Sequence, residues 1–307
     1  MHVPTDTSEF RYLPAQAQSV SVPVPAASRV EAELPDGRVL SALRFGDAEP
    51  QVVFLHGAGL NAHTWDTTIL RLQEPALAID LAGHGDSSWR NDLDYSPRNL
   101  AADIAEALPH WTSAPVVLVG QSLGGLTAAA LASAHPALVR DVVIVDITPG
   151  IDASGGPAEL REFYRVSDFA SRDELVDRAM AFGLGGSRAD TERGVFFNSR
   201  IREDGRVEWK HHFAHIAAQV FAAPDQAAHA APSAVLNATG WDDLGGVAAP
   251  LTLVRAARGY VSPQDAEDFR ARLPHADVIE IDATHNVQET APDRLADLIR
   301  SHLSDGM

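Results

Sequence analysis

The 307-residue chain contains no cysteine. Disulfides, thiolate zinc sites and a cysteine nucleophile are excluded together, and the composition fits a reducing compartment. Positive charge is scarce too: 24 Lys and Arg stand against 42 Asp and Glu, a formal net charge of −18. A surface this acidic repels nucleic acid phosphates and anionic lipid, so neither is expected as a partner. No apolar run approaches the roughly 18 residues that a membrane-spanning helix needs. The start, Met1 to Glu9, has neither a basic cluster nor an apolar stretch and does not read as a secretory signal. A cytoplasmic protein is expected. With 45% hydrophobic and 21% charged residues the chain is ordinary for a folded protein, which excludes wholesale disorder.

The length suits one large α/β domain carrying an insertion. Residues 1–27, rich in Pro, Ala, Gln and Ser without periodicity, are expected to form an extended or disordered leader. A hairpin should follow, with strands Arg29–Leu34 and Val39–Phe45 around Pro35-Asp36-Gly37. From Gln51 short apolar runs alternate with helical stretches. The runs are Val52–Leu55, Ala76–Ile79, Val116–Val119, Val142–Val145, Leu251–Val254 and Val278–Ile281. Uninterrupted apolar strands are buried on both faces, which predicts a mostly parallel central sheet with helices on both sides. The alternation stops between about Thr148 and Leu244. That stretch holds helical segments (Pro157–Arg165, Arg172–Phe182, His211–Phe221) and no buried-strand run. The expected organisation is therefore a core of residues 28–147 and 245–307 with a helical cap at 148–244.

The sharpest chemical signal is Gly120-Gln121-Ser122-Leu123-Gly124-Gly125, between the strand Val116–Val119 and a helix starting near Leu123. A bare G-x-S-x-G is common, but on a strand–turn–helix junction it projects the serine hydroxyl above the sheet. The helix N-terminus stabilises negative charge beside it. The competing reading is a serine that merely caps the helix. A second signal, His56-Gly57-Ala58-Gly59, closes the strand Val52–Leu55. Small residues there can turn a backbone N–H toward the serine. Acyl transfer needs two donors where the oxyanion develops, and Ala58 N–H with Leu123 N–H is the natural pair.

Together with Asp80-Leu81-Ala82-Gly83-His84-Gly85-Asp86-Ser87 and a late histidine, these strings resemble the α/β-hydrolase superfamily from about residue 29 to 304. The strings Leu60-Asn61-Ala62-His63-Thr64-Trp65-Asp66 and Tyr95-Ser96-Pro97 are similar to an actinobacterial ester-hydrolase branch. The resemblance implies the chain order serine, acid, histidine. His285 is then the base, since it alone follows the last strand and precedes the final helix, Pro292–Leu303. The superfamily commonly carries its acid after the penultimate strand, where this chain has Gly259. Asp146, ending the strand Val142–Val145, is the replacement, as in some members. A structural aspartate that caps the next segment is the other reading of Asp146, and Asp265, Glu267 and Asp268 are the fallback acids. An aspartate restored at 259 is expected to rescue partly the loss of Asp146, provided that position 259 does not require a positive φ.

Asp80 and His84 belong to a segment that is mainly a structural turn in this superfamily. His211 and His215 share a helix face, but no carboxylate lies between them as in H-E-x-x-H, so a cap lining the substrate pocket is preferred to a metal site. The pocket is expected to involve His56, Gly57, Gln121 and His212. The implied activity is a serine hydrolase that cleaves a small-molecule carboxylic ester through an acyl-enzyme intermediate, without cofactor or metal. Thioester, lactone or carbon–carbon hydrolysis shares the same constellation. A non-catalytic small-molecule binder is the alternative from another class, and the oligomeric state is left open.

Overall fold

The computed structural model describes residues 8–150, 163–164, 166–182, 186–216 and 240–304. The expected α/β architecture is present. Eight strands form one sheet. β1 (Ala27–Glu33) and β2 (Val39–Phe45) pair as the antiparallel hairpin, and β2 continues antiparallel onto β4 (Ala76–Asp80). From β4 onward the ladder is parallel through β3 (Val52–Leu55), β5 (Val116–Gln121), β6 (Val139–Val145), β10 (Leu251–Arg258) and β11 (Asp277–Thr284). The residues Val116–Val119 of β5 are all fully buried. Each valine so buried contributes about 1.5–3 kcal/mol, and the apolar run has two covered faces to fill.

The helices follow their sequence signals. In α3 (Pro97–Ala107) proline takes the first turn, where its missing N–H costs nothing, and Leu100, Ala101, Ile104 and Ala107 are buried on one face. α4 (Leu123–Ala134) is apolar nearly all round and almost wholly buried. The last helix runs from Pro292 to Ser304 and buries Leu295, Ala296 and Ile299.

Two expectations are corrected. The leader is not extended from residue 8 on: α1 (Leu13–Ser19) buries Leu13, Gln16 and Ala17. Leu13 and Ala17 join the core cluster that also holds Phe45, Trp65 and Ile69. A seven-residue helix is marginal by itself and is held by this docking. The insertion, expected to be mostly helical with no strand, also holds strands. Besides the helices Arg172–Ala181 and Arg188–Asn198 it contains a three-stranded antiparallel sheet of β7 (Asp168–Phe169), β9 (Val207–Trp209) and β8 (Ser199–Ile201). Of the segment His211–Phe221, residues 212–216 are helical; most of Pro157–Arg165 lies outside the described residues. The inserted sheet has its own apolar cluster around Phe163, Phe169, Leu175 and Trp209. It is tied to the loop after β4, with Lys210 Nζ on Asp86 at 2.8 Å and His212 N–H on Gly83 O at 2.8 Å.

Candidate active site

The parallel strands β3, β5, β6, β10 and β11 all end on one edge, so the loops after them converge. Chain order reverses between β3 and β5, the kind of crevice where open α/β sheets bind ligands. Ser122 sits at that crevice. Its backbone is left-handed, φ 53 and ψ −120, and its hydroxyl makes no capping hydrogen bond to α4. The capping explanation for this serine therefore fails, while a non-glycine residue in that region costs about 1–3 kcal/mol. The turn is possible because the backbones meet without side chains: a Cβ on Gly124 would lie 2.2 Å from the Leu55 carbonyl oxygen. Leu123 N–H is at the first helical position, where no intrahelical acceptor exists. Ala58, on the exposed loop after β3, has no backbone acceptor among the described residues.

Asp146 and His285 are brought together from 139 residues apart, with Asp146 Oδ2 2.7 Å from His285 Nδ1. Asp146 is fully buried and has φ 49. Its Oδ1 accepts from Ala256 N–H at 3.0 Å and Val261 N–H at 3.4 Å, and Oδ2 accepts from Tyr260 N–H at 2.7 Å. The departure at Gly259 has a steric cause. A Cβ at Gly259 would lie 2.0 Å from Asp146 Oδ2, so the carboxylate fills the space that a side chain at 259 would need. The expected rescue by an aspartate at 259 is therefore corrected: that residue would collide with the side chain at 146. Two of the fallback acids are engaged elsewhere, Asp265 in a capping box with Ser262 and Asp268 with Gln264 Nε2 at 2.9 Å.

The pocket expectations divide. Gly57 lies against the serine turn, where a Cβ would come 2.2 Å from Gln121 Oε1 and 3.2 Å from Ser122 Cβ. Gln121 is buried, and its Nε2 donates to His285 O at 3.3 Å and Asn286 Oδ1 at 3.4 Å, tying the histidine loop to the serine strand. It is a brace rather than a pocket wall. His56 is corrected in the same sense. It is fully buried, its Nε2 accepts from Leu81 N–H at 3.0 Å, and its Nδ1–H therefore donates to Gly57 O at 2.8 Å. Burial holds it below the usual histidine range. His212 stacks on Trp89 with ring centroids 4.2 Å apart, and its Nδ1 is 2.7 Å from the Tyr95 hydroxyl, so it docks the insertion onto the core.

Asp80 and His84 are consumed by structural bonds. Asp80 accepts from Ala62 N–H, Asp86 N–H and Arg29. His84 Nε2 accepts from Gly59 N–H at 3.1 Å, which steadies the loop carrying Ala58. Burial, aided by the neighbouring His56, depresses His84 to about 3. Sequence reasoning missed Tyr260. Its ring lies flat on the His285 imidazole, centroids 3.8 Å apart and 18° between planes, although the residue is 59% exposed. Its place directly after Gly259, in the loop where the acid was sought, was the available signal.

Residues 52–298 match the model of the alpha/beta hydrolase family. The chain belongs to that family. It is a hydrolase. It is 37% identical over 312 residues to an esterase of Mycobacterium tuberculosis, esterase Rv0045c, covering 97% of both chains. A solved structure of that esterase superposes with a TM-score of 0.79 at 35% identity, covering 98% of this chain and all of the other. Lipase LipV of the same organism is 30% identical, over 86% of this chain and 97% of its own. The structure of E-2-(acetamidomethylene)succinate hydrolase, TM-score 0.75, is 21% identical over 91% of this chain and all of that one, and shares the α/β-hydrolase fold. Among the described residues no helix is long and apolar enough to cross a membrane.

Proposed function

We propose that the protein is a serine hydrolase of small carboxylic esters that works through an acyl-enzyme intermediate. Ser122 Oγ attacks the ester carbonyl. His285 Nε2 takes the serine proton and passes it to the leaving alcohol, while Asp146 keeps the other imidazole proton on Nδ1. The N–H groups of Ala58 and Leu123 hold the oxyanion. Water, deprotonated by His285, then releases the acid and restores the serine. The inserted segment 148–244 acts as a cap on the core of 28–147 and 245–307 and sets acyl preference. The absence of cysteine supports a cytoplasmic setting.

One observation carries this reading: a fully buried carboxylate lies 2.7 Å from the imidazole on the sheet edge that also carries a strained serine. A structural aspartate needs only its backbone donors, and a structural serine gains nothing from φ 53. Similarity to an esterase and a lipase supports the ester as substrate. The test is Ser122→Ala, which should fold like the wild type and lose about 10⁴- to 10⁶-fold in kcat on a p-nitrophenyl ester. A phosphonate probe should label the wild type alone. Substantial residual turnover, or labelling of the variant at the wild-type rate, would remove Ser122 as nucleophile. A panel of ester chain lengths, thioesters and lactones then assigns the substrate class.

A further inference from the structure

A cavity of about 410 Å³ opens between the N-terminal segment, the core loops and the inserted sheet, and neither Ser122 nor His285 lines it. Such a volume is that of a small-ligand site. Its walls carry several cations, of which all but one are neutralised. Arg29 pairs with Glu9, Asp80 and Asp86, Lys210 with Asp86, and Arg200 with Glu208. His63, which burial alone would push down, is raised to about 9 by Asp66 and Glu9.

Arg172 is the exception. Its Nε donates to Ser199 Oγ at 3.0 Å and its Nη2 to Ser199 O at 3.2 Å, both neutral acceptors. It has no carboxylate within ion-pair distance among the described residues. Its guanidinium lies 4.9 Å from the centre of the Phe196 ring, which Arg11 also approaches at 4.0 Å. Burial, and then the charge of Arg11, work against the Arg172 cation. A half-buried guanidinium beside a second one, held only by serine oxygens, is a receptor for an anion: its planar fork suits a carboxylate, and burial strengthens the charge-assisted bond. Apolar residues line part of the same cavity. Phe196 and Phe197 line the cavity, and so does Ile201, 59% exposed where an isoleucine gains nothing from water.

We infer that this cavity is a second binding site, separate from the catalytic one, for a small carboxylate with an apolar tail: the head on Arg172 and the tail along Phe196, Phe197 and Ile201. Such an anion is also what ester hydrolysis releases. Only that choice of source rests on the proposed function, since the binding itself needs no turnover.

The test is calorimetric titration of the full chain with hexanoate. Hexanol and inorganic phosphate serve as controls for the tail and the charge. Saturable hexanoate binding that weakens with salt is expected, with Arg172→Gln binding at least about tenfold more weakly and Arg172→Lys falling between. Should Arg172→Gln fold poorly, Ile201→Glu places a repelling charge at an already exposed position and should weaken binding comparably. Undiminished binding in both Arg172→Gln and Ile201→Glu would overturn the site. Absence of saturable hexanoate binding would do the same, and phosphate or hexanol binding as tightly as hexanoate would overturn the ligand class. Failure of the wild type to hydrolyse esters sinks the proposed function instead and leaves this titration readable.

Discussion

Replacing Asp146 with Asn separates a catalytic acid from a structural one. The carboxylate accepts four hydrogen bonds, two per oxygen: Ala256 and Val261 N–H on Oδ1, Tyr260 N–H and His285 Nδ1 on Oδ2. An asparagine keeps the shape but has one accepting oxygen. If its NH₂ group takes the Oδ1 side, the 3.0 Å bond from Ala256 is lost and a donor faces a donor. If it takes the Oδ2 side, Tyr260 N–H is orphaned, yet the imidazole adapts by moving its proton from Nδ1 to Nε2 and accepting from the amide. Either arrangement leaves at least one backbone donor of this cradle unpaired, a cost of about 1–3 kcal/mol. Both keep a bond to His285, but the first strands the N–H groups of Ala256 and Val261 and the second only that of the exposed Tyr260, so the second is favoured. In that tautomer Nε2 already carries a proton and cannot take the one from Ser122. The expected result is a stability loss of about 1–3 kcal/mol in urea unfolding together with a kcat loss of up to about 10⁴ on a chromogenic ester. A purely structural aspartate predicts the stability loss alone. Near-normal kcat in a destabilised Asp146→Asn protein would refute the reasoning.

Tyr260→Leu, which removes the ring stacked on His285 but keeps the backbone bond to Asp146, should lower kcat with little change in KM. Tyr260→Phe should retain wild-type kcat, and an equal loss in both variants would assign the effect to the hydroxyl instead. Gly259→Ala should displace the Asp146 carboxylate, costing about 1–3 kcal/mol in urea unfolding and most of the turnover; wild-type values for both would contradict the close approach. The buried His84 is neutral in the fold, and its depressed pKa means that the unfolded chain binds the extra proton. Stability present above about 6.5 should fall by up to about 1.4 kcal/mol per pH unit as the pH drops from there toward 3. Urea midpoints from pH 7 to 4.5 should decline accordingly, and less steeply in His84→Gln; parallel slopes would mean that His84 is not a proton-linked group.

The sheet was legible in the sequence, because Val52–Leu55, Val116–Val119 and Val142–Val145 are apolar runs that only a two-sided burial satisfies. So was the serine turn, because Gly120 and Gly124 flank Ser122 at a strand–helix junction whose tightness is a local property. The short elements were not legible. Leu13–Ser19 has too few apolar residues to signal a helix and gains its stability from the core it covers, and the strands of the inserted sheet span two or three residues, too few for alternation to register. Asp204-Gly205 was the one local hint of that hairpin. Side-chain direction lay beyond the sequence as well. His56 and His212 sit beside chemistry-bearing motifs yet are consumed by bonds to Leu81, Gly57 and Tyr95 from other parts of the chain. The partner of His285 depends on how distant strands come together. Strand order sets the ends of β6 and β11 on one edge, and the missing side chain at Gly259 leaves room there for the carboxylate of Asp146.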